Sequence, residues 1–178
     1  PNDSTSISNN KIRDIFEDSN HNLWIATENG LNLFDREKKT FKRFKNNPSD
    51  PNSLSNNHIR VVFEDSHKNL WIGSYGGGLE LFDYPKGKFT HFKNDPKNSN
   101  TLPNNKEINM AEEDEGYQWV GLENGGLSIF NPLTKEFNNY LQDELDEGSL
   151  SNNSIYTIYK DKKGNMWVGT FNDGLNFV

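Results

Sequence analysis

Four tryptophans recur at near-constant spacing: Trp24, Trp71, Trp119 and Trp167 lie 47, 48 and 48 residues apart. A chain that repeats itself at such a period folds as an array of equivalent supersecondary units, because no single unit can bury its own apolar face. The neighbours of each Trp recur with it. The second member of an Asn pair stands 14 residues upstream each time, at Asn10, Asn57, Asn105 and Asn153. A Gly-Leu step follows each Trp, at Gly30-Leu31, Gly78-Leu79, Gly126-Leu127 and Gly174-Leu175. The first three units continue to Phe34, Phe82 and Phe130, and the fourth reaches Phe177 one residue early. The first three also carry a second aromatic pair: Phe41 with Phe44, Phe89 with Phe92, and Phe137 with Tyr140.

Each unit reads as four short strands. The first is rich in β-branched and aromatic residues, as in 12–16, 59–63 and 155–159, the composition that suits a pleated, half-buried surface. A polar turn of Asp, Asn, Lys and Gly follows, residues that tolerate tight reversals. The second strand holds the Trp, the third alternates through Leu79 and Leu81, and the fourth spans the second aromatic pair. No helical period is visible. Four strands in a unit of this length make a β-propeller blade, whereas a β-helix needs shorter repeats and leucine-rich repeats need a different ladder. The expected fold is all-β: a propeller segment over 1–178 with repeats at 9–55, 56–103, 104–151 and 152–178. The last blade is expected to be incomplete, stopping in its third strand. The chain opens on Pro1 and is read as part of a longer propeller, with two copies expected to pair as a homodimer through their terminal blades. A self-closed four-bladed ring is the competing geometry.

Composition narrows the chemistry. The net charge of -7, with Lys and Arg scattered, disfavours nucleic acid as a partner. Cysteine is absent, so disulfides and thiolate metal sites are excluded. Only 31% of residues are hydrophobic, yet 12 Phe, 6 Tyr and 4 Trp supply bulky core candidates. No apolar run approaches the roughly 18 residues of a membrane span. His21, His58, His67 and His91 fall at unlike repeat positions, and Asp18, Asp65, Asp114 and Asp161 read as caps of the first turn rather than as calcium ligands. No metal, cofactor or catalytic residue is assigned.

The pattern Trp-Ile/Val-Gly-x-x-x-x-Gly-Leu-x-x-Phe, preceded by Asn-Asn-x-Ile and Asp-x-x-x-Asn-Leu/Met, resembles the two-component regulator propeller repeat. That resemblance implies the periplasmic sensor region of a bacterial hybrid histidine kinase, with the kinase elsewhere in the parent protein. Many such sensors respond to glycan fragments, so the resemblance also implies an oligosaccharide ligand. Two departures stand out: Ala26 replaces the glycine after the first Trp, and Glu107-Ile108 shifts the apolar residues of the third unit by one. A bulge or slip is expected there.

In a meander, strands alternate direction, so the loop entering the first strand and the loop joining the second to the third emerge on the same side. The Asn pairs occupy the first loop and are read as turn-formers. The second loop carries residues that differ between units, and Glu28, Tyr75, Glu123, Phe171 and Asp173 are the candidate ligand contacts, because no packing rule demands them. The tryptophans are expected to pack between adjacent blades. The function expected is recognition without catalysis. The alternatives are a protein docking or dimerisation module without a small ligand, and a carbohydrate-active lyase or hydrolase, which would need convergent acid and base groups.

Overall fold

The structure is a computed structural model that describes residues 3–177. Those residues form fifteen strands in four antiparallel sheets, with no helix among them. The chain divides into two compact units, one ending at His91 and the other starting at Phe92. In the first unit, β1 (Ile12–Glu17), β2 (Leu23–Thr27), β3 (Gly30–Asp35) and β4 (Thr40–Phe44) form one sheet in chain order. The next is β5 (Ile59–Glu64), β6 (Leu70–Ser74), β7 (Gly78–Asp83) and β8 (Lys88–Phe92). The second unit repeats the meander with β9 (Glu107–Glu112), β10 (Gln118–Leu122), β11 (Leu127–Asn131) and β12 (Glu136–Tyr140). Its last sheet has three strands, β13 (Ile155–Lys160), β14 (Met166–Thr170) and β15 (Leu175–Phe177), as the sequence led us to expect.

The first strand of every sheet bulges at the same place. Ile12 pairs with Thr27 and Asp14 with Ala26, Ile59 with Ser74 and Val61 with Gly73, and Ile155 with Thr170 and Thr157 with Gly169. In β9 the same step separates Glu107, opposite Leu122, from Asn109, opposite Gly121. The bulge expected only for the third unit is thus a feature of all four, and the side chains of Glu107 and Ile108 lie outside the described residues. A bulge re-aims the residue that follows it. Asp14 accepts the Val62 amide of the neighbouring sheet through Oδ2 at 2.9 Å, and Asn109 accepts that of Ile158 through Oδ1 at 2.9 Å.

In the first three sheets the segment before the first strand is an ordered part of the sheet that follows. It lies along that sheet's outer strand, where the amides of Phe41, Phe89 and Phe137 donate to Thr5, Asn52 and Asn100. This covers an edge that would otherwise present unpaired backbone. The segments before β5, β9 and β13 insert Leu54, Leu102 and Leu150, all buried. Leu54 packs with Trp24, Leu31, Phe44, Ile59, Leu70 and Phe82 in the first unit. Leu150 packs with Trp119, Leu127, Ile155, Ile158 and Val168 in the second.

Candidate functional site

Each Trp is pinned by a carboxylate six residues upstream. Asp18 accepts the Trp24 indole N–H at 2.8 Å, Asp65 that of Trp71 at 2.8 Å, and Asp161 that of Trp167 at 3.2 Å. The other oxygen of Asp18 closes the turn by accepting the amides of Asn20 and Asn22. Asp161 does the same with Lys163 and Asn165. In the third unit the sequence assignment of Asp114 is corrected. Glu113 takes the Trp119 indole at 2.8 Å, and Asp114 instead faces Lys160 at 2.6 Å with its side chain exposed. Spacing from the Trp, not residue type, selects the partner.

These carboxylates serve structure. Burial works to raise Asp18, but hydrogen bonds from Tyr84, Trp24 and Asn22 outweigh it and hold the carboxyl below its ordinary range. Bonds from Asn165, then Trp167 and two backbone amides, bring Asp161 down to about 2. Trp24 is wholly buried, with ring centroids of Phe44, Phe82 and Tyr84 at 5.8, 5.4 and 5.9 Å. Phe82 and Tyr84 belong to or follow β7, so this indole sits between the two sheets of its unit. Trp71 and Trp119 are buried as well, and Trp167 lies half-buried against Phe177 at 4.7 Å.

The Asn pairs shape the loop end of each sheet. The first Asn closes a turn on itself: Asn9, Asn56, Asn104 and Asn152 accept the amides of Lys11, His58, Lys106 and Ser154. The second ties a sheet to the one before it. Asn57 accepts the Gly30 amide on its carbonyl and the Asn46 amide on Oδ1, each at 2.7 Å. Asn153 repeats both bonds with Gly126 and Gln142.

On this frame the tips of the β2–β3 type loops occupy one repeated place. The amides of Glu28, Tyr75, Glu123 and Phe171 donate to the carbonyls of Lys11, His58, Lys106 and Ser154. An identical backbone bond thus presents four different side chains. Each meets the entry of the first strand of its own sheet. Glu28 ion-pairs with Lys11 at 3.0 Å and with Arg13, whose hydrogen bonds hold its carboxyl below the ordinary range. The Tyr75 ring stands 5.4 Å from His58 and carries the Arg60 guanidinium at 5.2 Å. Glu123 faces Lys106 at 3.8 Å. Phe171 lies 5.9 Å from Tyr156, both exposed, and Asp173 accepts the Asn152 amide group at 2.6 Å.

Sequence reading named the tips but not these partners. Arg13, Arg60 and Tyr156 all stand eleven residues before a Trp, a position inside a recurring strand whose occupant changes. That variability is the signal that could have found them.

The model of the two component regulator propeller family matches residues 6–29, 53–76 and 149–172. The stretch it passes over contains the unit with Glu113 in place of the turn Asp. The extracellular domain of a hybrid two component system of B. thetaiotaomicron has a TM-score of 0.84 at 30% identity, over 99% of this chain and 23% of that one. A second such domain from B. thetaiotaomicron gives 0.79 at 23% identity, over 98% and 22%. A surface component of the type-IX secretion system of Porphyromonas gingivalis gives 0.69 at 15% identity, over 99% and 27%. The last two likenesses show the fold alone. The fold is that of a propeller with each sheet a blade, as in the WD40 β-propeller domain of Doa1, which gives 0.69 at 14% identity over 93% of this chain and 50% of that one. No curated protein matches the chain by sequence. The chain spans less than a quarter of the length of the two B. thetaiotaomicron domains.

Proposed function

Because the chain carries two component regulator propeller repeats, we propose that it is a recognition segment of the periplasmic sensor of a hybrid two component system, binding a glycan fragment without turning it over. The observation that supports this most is the repeated backbone bond at the four tips. The scaffold fixes where Glu28, Tyr75, Glu123 and Phe171 stand while leaving their chemistry free, which is how a rigid repeat presents a variable surface. The pairing of Phe171 with Tyr156 beside Asp173 and Asn152 favours sugar, since aromatic faces take the apolar side of a pyranose and polar side chains fix its hydroxyls. In the parent receptor, ligand binding would bias a dimer between two signalling states by its differential affinity for them.

A thermal-shift screen of oligosaccharides against the intact propeller region tests this reading. It expects at least one glycan to raise the melting temperature with the glycan recovered unchanged; a panel that leaves the melting temperature flat removes its main support. A second reading, self-association without a small ligand, is favoured by Tyr159, Leu175 and Phe177, all largely exposed on the last sheet. Sedimentation of a strict monomer at high concentration would exclude it.

A further inference from the structure

The loop end of β5 and β6 differs from its counterparts in charge. At the first sheet, both carboxylate oxygens of Glu28 are engaged, Oε2 by Lys11 and Oε1 by Arg13. At the third, Glu123 answers Lys106. The second sheet has Tyr75 where those two have a glutamate, and Arg60 has no carboxylate partner among the described residues. Its Nε is buried and without an acceptor, and the guanidinium is held over the Tyr75 ring. Beside it, Nε2 of His58 is also buried with no hydrogen-bond partner, 3.8 Å from a Glu28 oxygen that Arg13 already occupies. Burial, then the nearby Arg60, lower the His58 pKa.

We infer that this end of the first unit holds the acidic group of a charged sugar, with Arg60 as its principal contact, Tyr75 beneath the guanidinium and His58 beside it. A guanidinium stacked on an aromatic face presents its remaining N–H groups as a planar fork, the geometry that carboxylate and sulfate oxygens accept in pairs. Lys11, Arg13 and Arg60 outnumber Glu28 at this place, although the chain as a whole carries -7. The opposing field of distant carboxylates is screened within about 8 Å at physiological salt, so the local excess governs. The inference rests on the glycan reading above and narrows it from sugars in general to acidic ones.

Calorimetric titration of the full chain tests it with paired probes: tetragalacturonate against its methyl ester, and a sulfated galactan oligosaccharide against its desulfated form. The expected result is binding of one acidic probe at least tenfold tighter than its neutral partner. Arg60→Gln should erase that difference, and Arg60→Lys, which keeps the charge but not the fork, should restore part of it. Which acidic probe binds distinguishes carboxylate from sulfate. Equal affinity for acidic and neutral partners overturns the inference and leaves the glycan reading standing. Binding of neither member of any pair, while another neutral glycan binds, has the same meaning, and failure of every glycan overturns both. Should Arg60→Gln fold poorly by circular dichroism, the acid-to-ester comparison on the unaltered chain still decides.

Discussion

Asp18 shows how much one side chain holds in this chain. Its two oxygens accept from Trp24, Asn22, Asn20 and Tyr84, the last at 2.5 Å. Burial, then the bond to Asp18, push the Tyr84 phenol well above its ordinary range, so it stays a donor. Asp18→Ala would leave buried donors unsatisfied and is expected to cost about 3 kcal/mol, read from denaturant unfolding. The lowered carboxyls of Asp18 and Asp161 contribute stability that is complete above the unfolded Asp value of about 3.9 and is lost as pH falls through the folded values, about 2 for Asp161. Acid titration of the melting temperature should therefore fall between about pH 4 and 2, and Asp161→Asn should flatten part of that fall. Asp14 is the opposite case: burial raises it against the pull of the Val62 and Ile15 amides. Asn109 makes the equivalent bond without a charge. Asp14→Asn is expected to raise the melting temperature at pH 7, with the gain shrinking as pH drops and the wild-type carboxyl takes up its proton. A lower melting temperature at pH 7 would contradict this account of the bulge.

At the scale of the element, the recurring Gly-Leu step has a steric cause. Gly126 has φ +70, and a Cβ there would lie 2.1 Å from the Tyr140 carbonyl oxygen at the end of β12. Gly30, at φ +120, would meet the Phe44 oxygen at 2.6 Å. Gly174 has the same kind of φ, but nothing stands within 4 Å of its Cβ position, in a sheet with no fourth strand among the described residues. Gly126→Ala should cost more than about 2 kcal/mol, whereas Gly87→Ala, with positive φ but open surroundings, should cost about 1 kcal/mol. Equal losses in chemical denaturation would show that backbone conformation alone, not the neighbouring strand, fixes the glycine. Much of this was legible beforehand. The Trp period marks the sheets, and the first strands read at 12–16, 59–63 and 155–159 end one residue short of β1, β5 and β13. What escaped was the segment around Leu54, Leu102 and Leu150, because its Asn, Pro and Ser content looks like loop and its single Leu per repeat is no strand pattern. Also hidden was the polar place inside the third strands, where buried Glu80 takes the Ser55 hydroxyl at 2.6 Å and Asn32 the Ser8 amide at 2.9 Å. Alternation leads one to expect an apolar residue on a buried strand, and only the covering segment explains a polar one.

Over the whole molecule, both units use one division of labour. Residues that recur, the Trp with its carboxylate and the Asn pair, are consumed by packing and hydrogen bonding. Residues that change, at the loop tips and at the strand entries facing them, are the ones we propose meet other molecules. The variability of the tips is legible in the sequence, but pairing each tip with its strand entry requires the fold, since the partners lie some 15 residues apart in chain, as Arg13 and Glu28 do. The claim is most directly tested by measuring affinity and melting temperature together, for the glycan selected by thermal shift, in Tyr75→Ala, Phe171→Ala, Asn57→Ala and Asn153→Ala. At least one tip substitution is expected to weaken binding tenfold or more while melting within about 2 °C of wild type. The Asn substitutions should lower the melting temperature by about 4 °C or more. Tip variants that bind as wild type does, or that lose affinity only in step with stability, would contradict it.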